Sequence, residues 1–307
     1  MAATILDGNN DSYESSLQKL RALVQSGILP PYADQVADLI LPSIRLRTTR
    51  TPDDDIPIGA TKFGGLPDLP VGAVWPKETG TGKHIPFLAQ INLHEVEAFD
   101  RSHTLPRNGI LFFFYNGYDD SVAETSVIQY SGSSASLKRH TLPNSLVRPR
   151  RTSWWQKIFT KRHPPSPFLS CCVTLSIEVT CPWWESFYLE RIATDEMAPI
   201  DAYTEEFLDG YTDMHGGSDR VHRLLGYPDG IQGSGFEAHF VESILEREEL
   251  TPKDFDMLLE WKLLLQIDSD CAMGTMWGDL GRVYFFIREQ DLSAGNFSKV
   301  RVTGDCY

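Results

Sequence analysis

The sequence predicts an α+β fold, internally duplicated, with mostly antiparallel curved β-sheets and peripheral helices. Three observations carry that expectation. Lys62-Phe63-Gly64-Gly65-Leu66-Pro67-Asp68-Leu69-Pro70 is followed by Phe87-Leu88-Ala89-Gln90-Ile91-Asn92 and then by Gly109 and the run Ile110 to Phe114. Leu225-Gly226-Tyr227-Pro228-Asp229 is followed by Leu263-Leu264-Leu265-Gln266-Ile267-Asp268 and then by Gly281 and the run Val283 to Phe286, the same parts in the same order. Matches kept in order mark a repeated unit, and strands mixed with helices at no regular β-α-β period favour antiparallel pairing. The expected organisation is an N-terminal helical segment over 1–42, a first half over 43–218 and a second half over 219–307. The first half carries a basic, tryptophan-rich excursion at about 138–165.

In chain order, Asp11 with Glu14 opens a capped helix whose Leu17, Leu20, Leu23 and Val24 share one face until Gly27. Pro30-Pro31 introduces a second helix, Tyr32 to Leu41, and Ser43 to Thr49 alternates as a strand. Asp53-Asp54-Asp55 reads as a solvated turn. Gly64-Gly65 allows a sharp turn and Pro67 and Pro70 stiffen it, so this stretch is not an ordinary strand. Phe87 to Ile91 is a short buried strand, Asn92 caps a helix Leu93 to Phe99, and Ile110 to Tyr115 is a strand covered on both faces. Ser121 to Tyr130 and Ser170 to Thr180 alternate as half-exposed strands. Helices are expected over Trp183 to Ile192, Ala202 to Tyr211 and Phe236 to Glu246, with Thr251-Pro252 starting another. Leu263 to Ile267, Val283 to Ile287 and Val300 to Val302 complete the strands.

The chain has 307 residues, 41% of them hydrophobic, enough for one large core or two ordinary ones, and the repeat favours two similar halves sharing an interface. No apolar run reaches the roughly 18 residues of a membrane-spanning helix. Met1 to Asn10 lacks a basic then apolar pattern, so the expected location is cytoplasmic. Five cysteines without regular spacing make a poor disulfide framework, and most of them are expected to be buried and inert. A net charge of −14 disfavours nucleic acid as a partner. Between Glu124 and Glu178, however, the chain has no acidic residue, while eight Lys and Arg lie there, from Lys138 to Arg162. The charge is therefore bipolar.

Candidate chemistry is sparse. Glu78 to His84 lacks the first glycine and the Ser/Thr of a phosphate loop and reads as a hairpin tip. The histidines show no zinc-hydrolase spacing, Ser234 lacks a nucleophile-elbow context, and Cys171 or Cys172 would need a base that sequence cannot place. Asp268 and Asp270 could share a divalent ion or simply bond a turn, and Asn92 cannot supply the same charge in the first half. Gln90 and Gln266 sit inside apolar strands and must be hydrogen-bonded, because an unpaired buried amide costs about 1–3 kcal/mol. They are either struts tying each corner to its sheet or the lining of a cleft between the halves, with Asp68 and Asp229 at its rim. Trp154 and Trp155, among basic residues, suit an acidic protein face or an anionic membrane surface, or dock back on the body. No metal or other cofactor is expected.

Lys62 to Pro70, Pro86 to Leu93, Leu224 to Pro228, Leu264 to Asp268 and Met276-Trp277-Gly278-Asp279 resemble the YwqG-like family, domains of unknown function found mostly in bacteria. The similarity covers about Ser43 to Tyr307. It implies a duplicated α+β fold with curved sheets, brings no catalytic residues to carry over, and suggests an immunity or accessory role. The leading expectation is a non-catalytic protein that binds a protein partner, such as a basic toxin or effector. The alternative is a small-molecule or metal binder, or an enzyme, using Asp68, Gln90, Gln266, Asp268 and Asp270 around a polar cleft.

Overall fold

The computed structural model describes residues 10–117, 124–147, 166–192, 198–217, 220–231 and 235–307. Trp154 and Trp155 lie outside the described residues. One ten-stranded sheet runs through the chain in the order β12-β11-β10-β9-β1-β8-β2-β4-β5-β6, and every pairing in it is antiparallel. Its strands are β1 (Leu41–Arg50), β2 (Lys62–Phe63), β4 (Phe87–Asn92), β5 (Ile110–Tyr115), β6 (Thr125–Tyr130), β8 (Cys171–Thr180), β9 (His222–Leu224), β10 (Trp261–Asp268), β11 (Arg282–Arg288) and β12 (Arg301–Asp305). A small second sheet pairs β3 (Asp68–Pro70) with β7 (Leu137–Arg139).

The strand order reads the same from both ends, so β2, β4, β5 and β6 correspond to β9, β10, β11 and β12. Register supports the correspondence. Gln90 faces Phe112 across β4–β5, and Gln266 faces Tyr284 across β10–β11. The two central strands also exchange: Ile44 sits opposite Leu224 as Cys171 sits opposite Phe63, and the ladder that sets Ile44 against Ile177 sets Arg50 against Cys171. β1 thus pairs with the corner strand of the second half, and β8 with that of the first.

The sheet curls, as strand twist favours, and β6 meets the Phe297–Lys299 turn that precedes β12. Inside lies the main core, where the equivalent rings Phe113 and Phe285 touch edge-on at 5.4 Å. The outer faces are covered differently. On the first half, Trp75, Leu69 and Leu137 pack on Phe87, Phe112 and Phe114, and the Trp75 indole donates to Ile85 O at 2.7 Å. On the second, α7 (Gly235–Leu245) and a 3-10 stretch (Pro252–Glu260) pack on Trp261, Leu263, Tyr284 and Phe286. A third cluster joins α1 (Asn10–Gly27), α2 (Tyr32–Asp38) and α6 (Glu205–Met214) over the end of β8.

Several element expectations need correction. The helix after Asn92, α3, spans only Leu93–Val96, because the buried Asp100 carboxylate takes Ser102 Oγ and Leu105 N–H and turns the chain. α2 stops at Asp38, and β1 begins early enough to hold Pro42 near its start. In the stretch after Trp183, Ser186 caps a single turn, α4 (Phe187–Glu190). Further on, Pro199 opens α5 (Pro199–Ala202), and Thr204 caps a separate α6. β8 is not half-exposed at its end: Glu178 and Thr180 are buried, Glu178 against Arg223 and His215 at the end of α6 and Thr180 under the Tyr227 N–H. The Asp68–Pro70 stretch does form a short strand beyond its glycine corner.

Candidate functional site

Each Gly-x-Pro-Asp corner is bolted to its sheet by one glutamine and one aspartate. In the first half Asp68 N–H donates to Gln90 Oε1 at 2.9 Å, and Gln90 Nε2 donates to Asp68 Oδ2 and to Ala60 O, both at 2.8 Å. In the second, Asp229 N–H donates to Gln266 Oε1 at 3.0 Å, while Gln266 Nε2 donates to Asp229 Oδ2 at 3.2 Å and Val221 O at 2.8 Å. Both glutamines are fully buried, and these bonds satisfy amides that would otherwise destabilise the strands. Gly65 and Gly226 occupy matching positions with φ of 70° and 74°. A Cβ there would lie 2.6 Å from Asp53 Oδ1 and 2.5 Å from Thr180 Oγ1, respectively, so both corners require glycine.

A buried cation completes each corner. Lys62 Nζ donates to Leu66 O, as Arg223 Nη1 donates to the matching Tyr227 O at 2.9 Å. The counter-charges differ. Lys62 pairs with Asp53 at 2.5 Å, and Arg139 from β7 reaches Asp68 at 2.8 Å. Asp53 is therefore no free solvated turn residue: its Oδ2 accepts from Leu66 N–H, as Thr180 Oγ1 accepts from Tyr227 N–H. Arg223 instead pairs with Asp229 at 2.8 Å and Glu178 at 3.1 Å, and Glu178 also holds Arg45 at 3.0 Å. Burial opposes the charge on Asp229, but Arg223 and Arg282 overcome it and hold the carboxyl down at about 2. Burial lowers the Lys62 pKa against the pull of Asp53.

The remaining candidates are placed as follows. Asn92 caps α3 by accepting from His94 N–H at 3.1 Å, and its amide donates to Gly59 O at 2.8 Å. Asp268 accepts from Val221 N–H at 3.0 Å and faces Arg282 at 3.3 Å. Asp270 accepts from Thr48 Oγ1 at 2.5 Å and Ala272 N–H at 2.8 Å, with His222 Nε2 at 3.3 Å. Burial opposes ionisation of Asp270, yet the His222 and Thr48 bonds keep its carboxyl at about 2. The carboxylates of Asp268 and Asp270 thus turn to different partners. Among the described residues no group of three or more His, Cys, Asp or Glu is placed to hold a metal ion. Burial pushes the Cys171 thiol up to about 12, which leaves almost no thiolate at neutral pH.

Sequence reading passed over Lys62 and Arg223, although a cation one or two residues before each corner glycine pair or Leu-Gly step was visible. It also passed over Glu178, which alternation placed on a solvent face. What the corner residues leave unspent is surface. On α5 and α6, Asp201, Glu205, Glu206, Asp209 and Asp213 are exposed, and between Arg191 and Arg220 the chain has no Lys or Arg at all.

A duplicated, rolled antiparallel sheet locked by two Gly-x-Pro-Asp corners defines an α+β domain whose recurring motifs serve its architecture. The chain belongs to the family described as a domain of unknown function, DUF1963, whose pattern matches residues 61–306. No curated protein matches it.

Proposed function

We propose that the protein is a non-catalytic binding protein, of the YwqG-like kind, that engages a basic protein partner through its acidic face. The observation that carries this reading is the exposed carboxylate row of α5 and α6, which no Lys or Arg between 192 and 219 offsets. Such a surface speeds encounter with a cationic partner and rejects anionic ones, with a strong dependence on salt. The corner carboxylates cannot serve that purpose, since each is buried and engaged within the fold. A basic toxin or effector domain is the partner that the family resemblance suggests.

The test is affinity capture from the native host with the wild type and with a Glu205→Lys/Glu206→Lys/Asp209→Lys variant, at low and high salt. A basic protein should be retained by the wild type at low salt and lost both with the variant and with salt. Equal recovery by both forms of every captured protein would overturn the proposal.

A further inference from the structure

The outer face of the second half encloses a cavity of about 160 Å³ between β10, β11 and α7. Its walls are aromatic: Tyr188, Tyr227, Phe236, Phe240, Trp261 and Phe286. Neighbouring rings stand nearly perpendicular, Phe240 to Trp261 at 89° and Tyr188 to Tyr227 at 77°, each pair with centroids 5.1 Å apart. The negative face of an aromatic quadrupole attracts a cation, as the Arg288 guanidinium 5.2 Å from the Trp261 ring centroid illustrates at this wall.

Among the described lining residues, Glu237 supplies the one carboxyl. Its Oε1 accepts from Ser186 Oγ and its Oε2 from Phe187 N–H, both at 2.8 Å. Those bonds fix the group and leave each oxygen a further lone pair. Among the described residues no cation pairs with it; Lys262, which also lines the cavity and is partly exposed, has its ammonium 3.6 Å from Glu289 instead. Burial accordingly pushes the Glu237 carboxyl up to about 7. On the matching face of the first half Trp75 instead seats edge-on against Phe114 at 5.5 Å with its indole N–H satisfied. Among the described residues, the buried Trp261 indole N–H has no hydrogen-bond partner.

We propose that this cavity binds a methylated ammonium group, surrounded by the aromatic walls and neutralised by Glu237. A cavity of about 150 Å³ holds one benzene-sized molecule, so a trimethylammonium head with a two- or three-atom arm fills the space. Plain ammonium is more strongly hydrated and loses more on entry, whereas a methylated one presents an apolar surface that carries charge. The same chemistry occurs in choline-like small molecules and in a trimethylated lysine side chain. This site lies apart from the acidic row on α5 and α6, and it stands or falls independently of the protein-partner reading.

The test is calorimetry on the full chain with choline, with its neutral isostere 3,3-dimethyl-1-butanol, and with short peptides carrying lysine or trimethyllysine. Choline or the trimethyllysine peptide should bind one to one, at least tenfold more tightly than the isostere or the unmodified peptide, respectively. Preference between the two identifies the source of the group. Glu237→Gln should lower that affinity at least tenfold and leave the isostere unchanged. If Glu237→Gln does not fold, the ratio of choline to isostere on the wild type decides. Equal affinity for choline and isostere, or no heat from any methylated ammonium at millimolar concentration, would overturn the proposal.

Discussion

The corner at Lys62 to Asp68 and the corner at Arg223 to Asp229 make corresponding hydrogen bonds, yet they draw their counter-charges from different depths. The first is served by Asp53 and Arg139, side chains 19% and 14% exposed on peripheral segments. The second is served by Glu178 and Arg45, at most 9% exposed on the central strands β8 and β1. An identical mechanical joint is thus tied to the rim in one half and to the middle of the sheet in the other. Losing a charge from the second should therefore cost more, because a partner left behind there has no water to turn to.

The largest effect expected from this difference is at Arg223. Arg223→Met leaves Asp229 buried without its main cation and Glu178 with Arg45 as its remaining arginine, and should destabilise by about 3–5 kcal/mol in urea titration. Lys62→Met should cost clearly less, since Asp53 retains Arg139 and some solvent. Equal losses would erase the distinction between the corners.

Next comes pH. The Glu237 carboxyl is raised to about 7 in the folded chain, above its usual value near 4.3. Its contribution is fully present below that lower value and is lost as pH rises through about 7. Glu237→Gln should therefore gain stability relative to the wild type between pH 5 and 8, on the order of 3 kcal/mol at the upper end. Thermal unfolding across that range checks it; parallel profiles would refute it. At the acid end Asp229 and Asp270, both held near 2, contribute stability above about 3.9 that disappears as pH falls toward 2. Hydrogen exchange at low pH should open β9 and β10 before β4 and β5.

Smaller and equal effects are expected where the corners agree. Gln90→Leu and Gln266→Leu each strand an Asp N–H and should cost about 1–3 kcal/mol apiece, combining additively because they share no partner. Smallest of all, the lysine substitutions on α6, two of them in its first turn, should cost only about 1 kcal/mol of stability while changing salt-dependent association.

Much of this architecture was legible in the sequence because it is written twice. Gly65 and Gly226, Pro67 and Pro228, Gln90 and Gln266 recur in order, and each recurrence maps onto a matched position in the sheet. Legibility failed where partners come from far along the chain. Asp53 looks solvated until the fold brings Lys62 and Arg139 to it, and Glu178 looks exposed until Arg223 and His215 come against it at the end of β8. Strand alternation reports two faces of a sheet and is silent on a second layer. The cavity at Glu237 was invisible for a like reason: its walls come from β10, β11, α4, α7 and the Tyr227 corner, and no local pattern joins them.

The central claim is that the paired Asp and Gln residues are joints of the fold and that recognition lies on the surfaces they leave free. Native-state amide exchange at Asp68 and Asp229 tests it most directly. Both amides should be protected to the level of global unfolding and unchanged by ligand or partner, with Gln90→Leu releasing only Asp68 and Gln266→Leu only Asp229. Fast exchange of both amides in the wild-type chain, slowed when a partner or ligand binds, would contradict it.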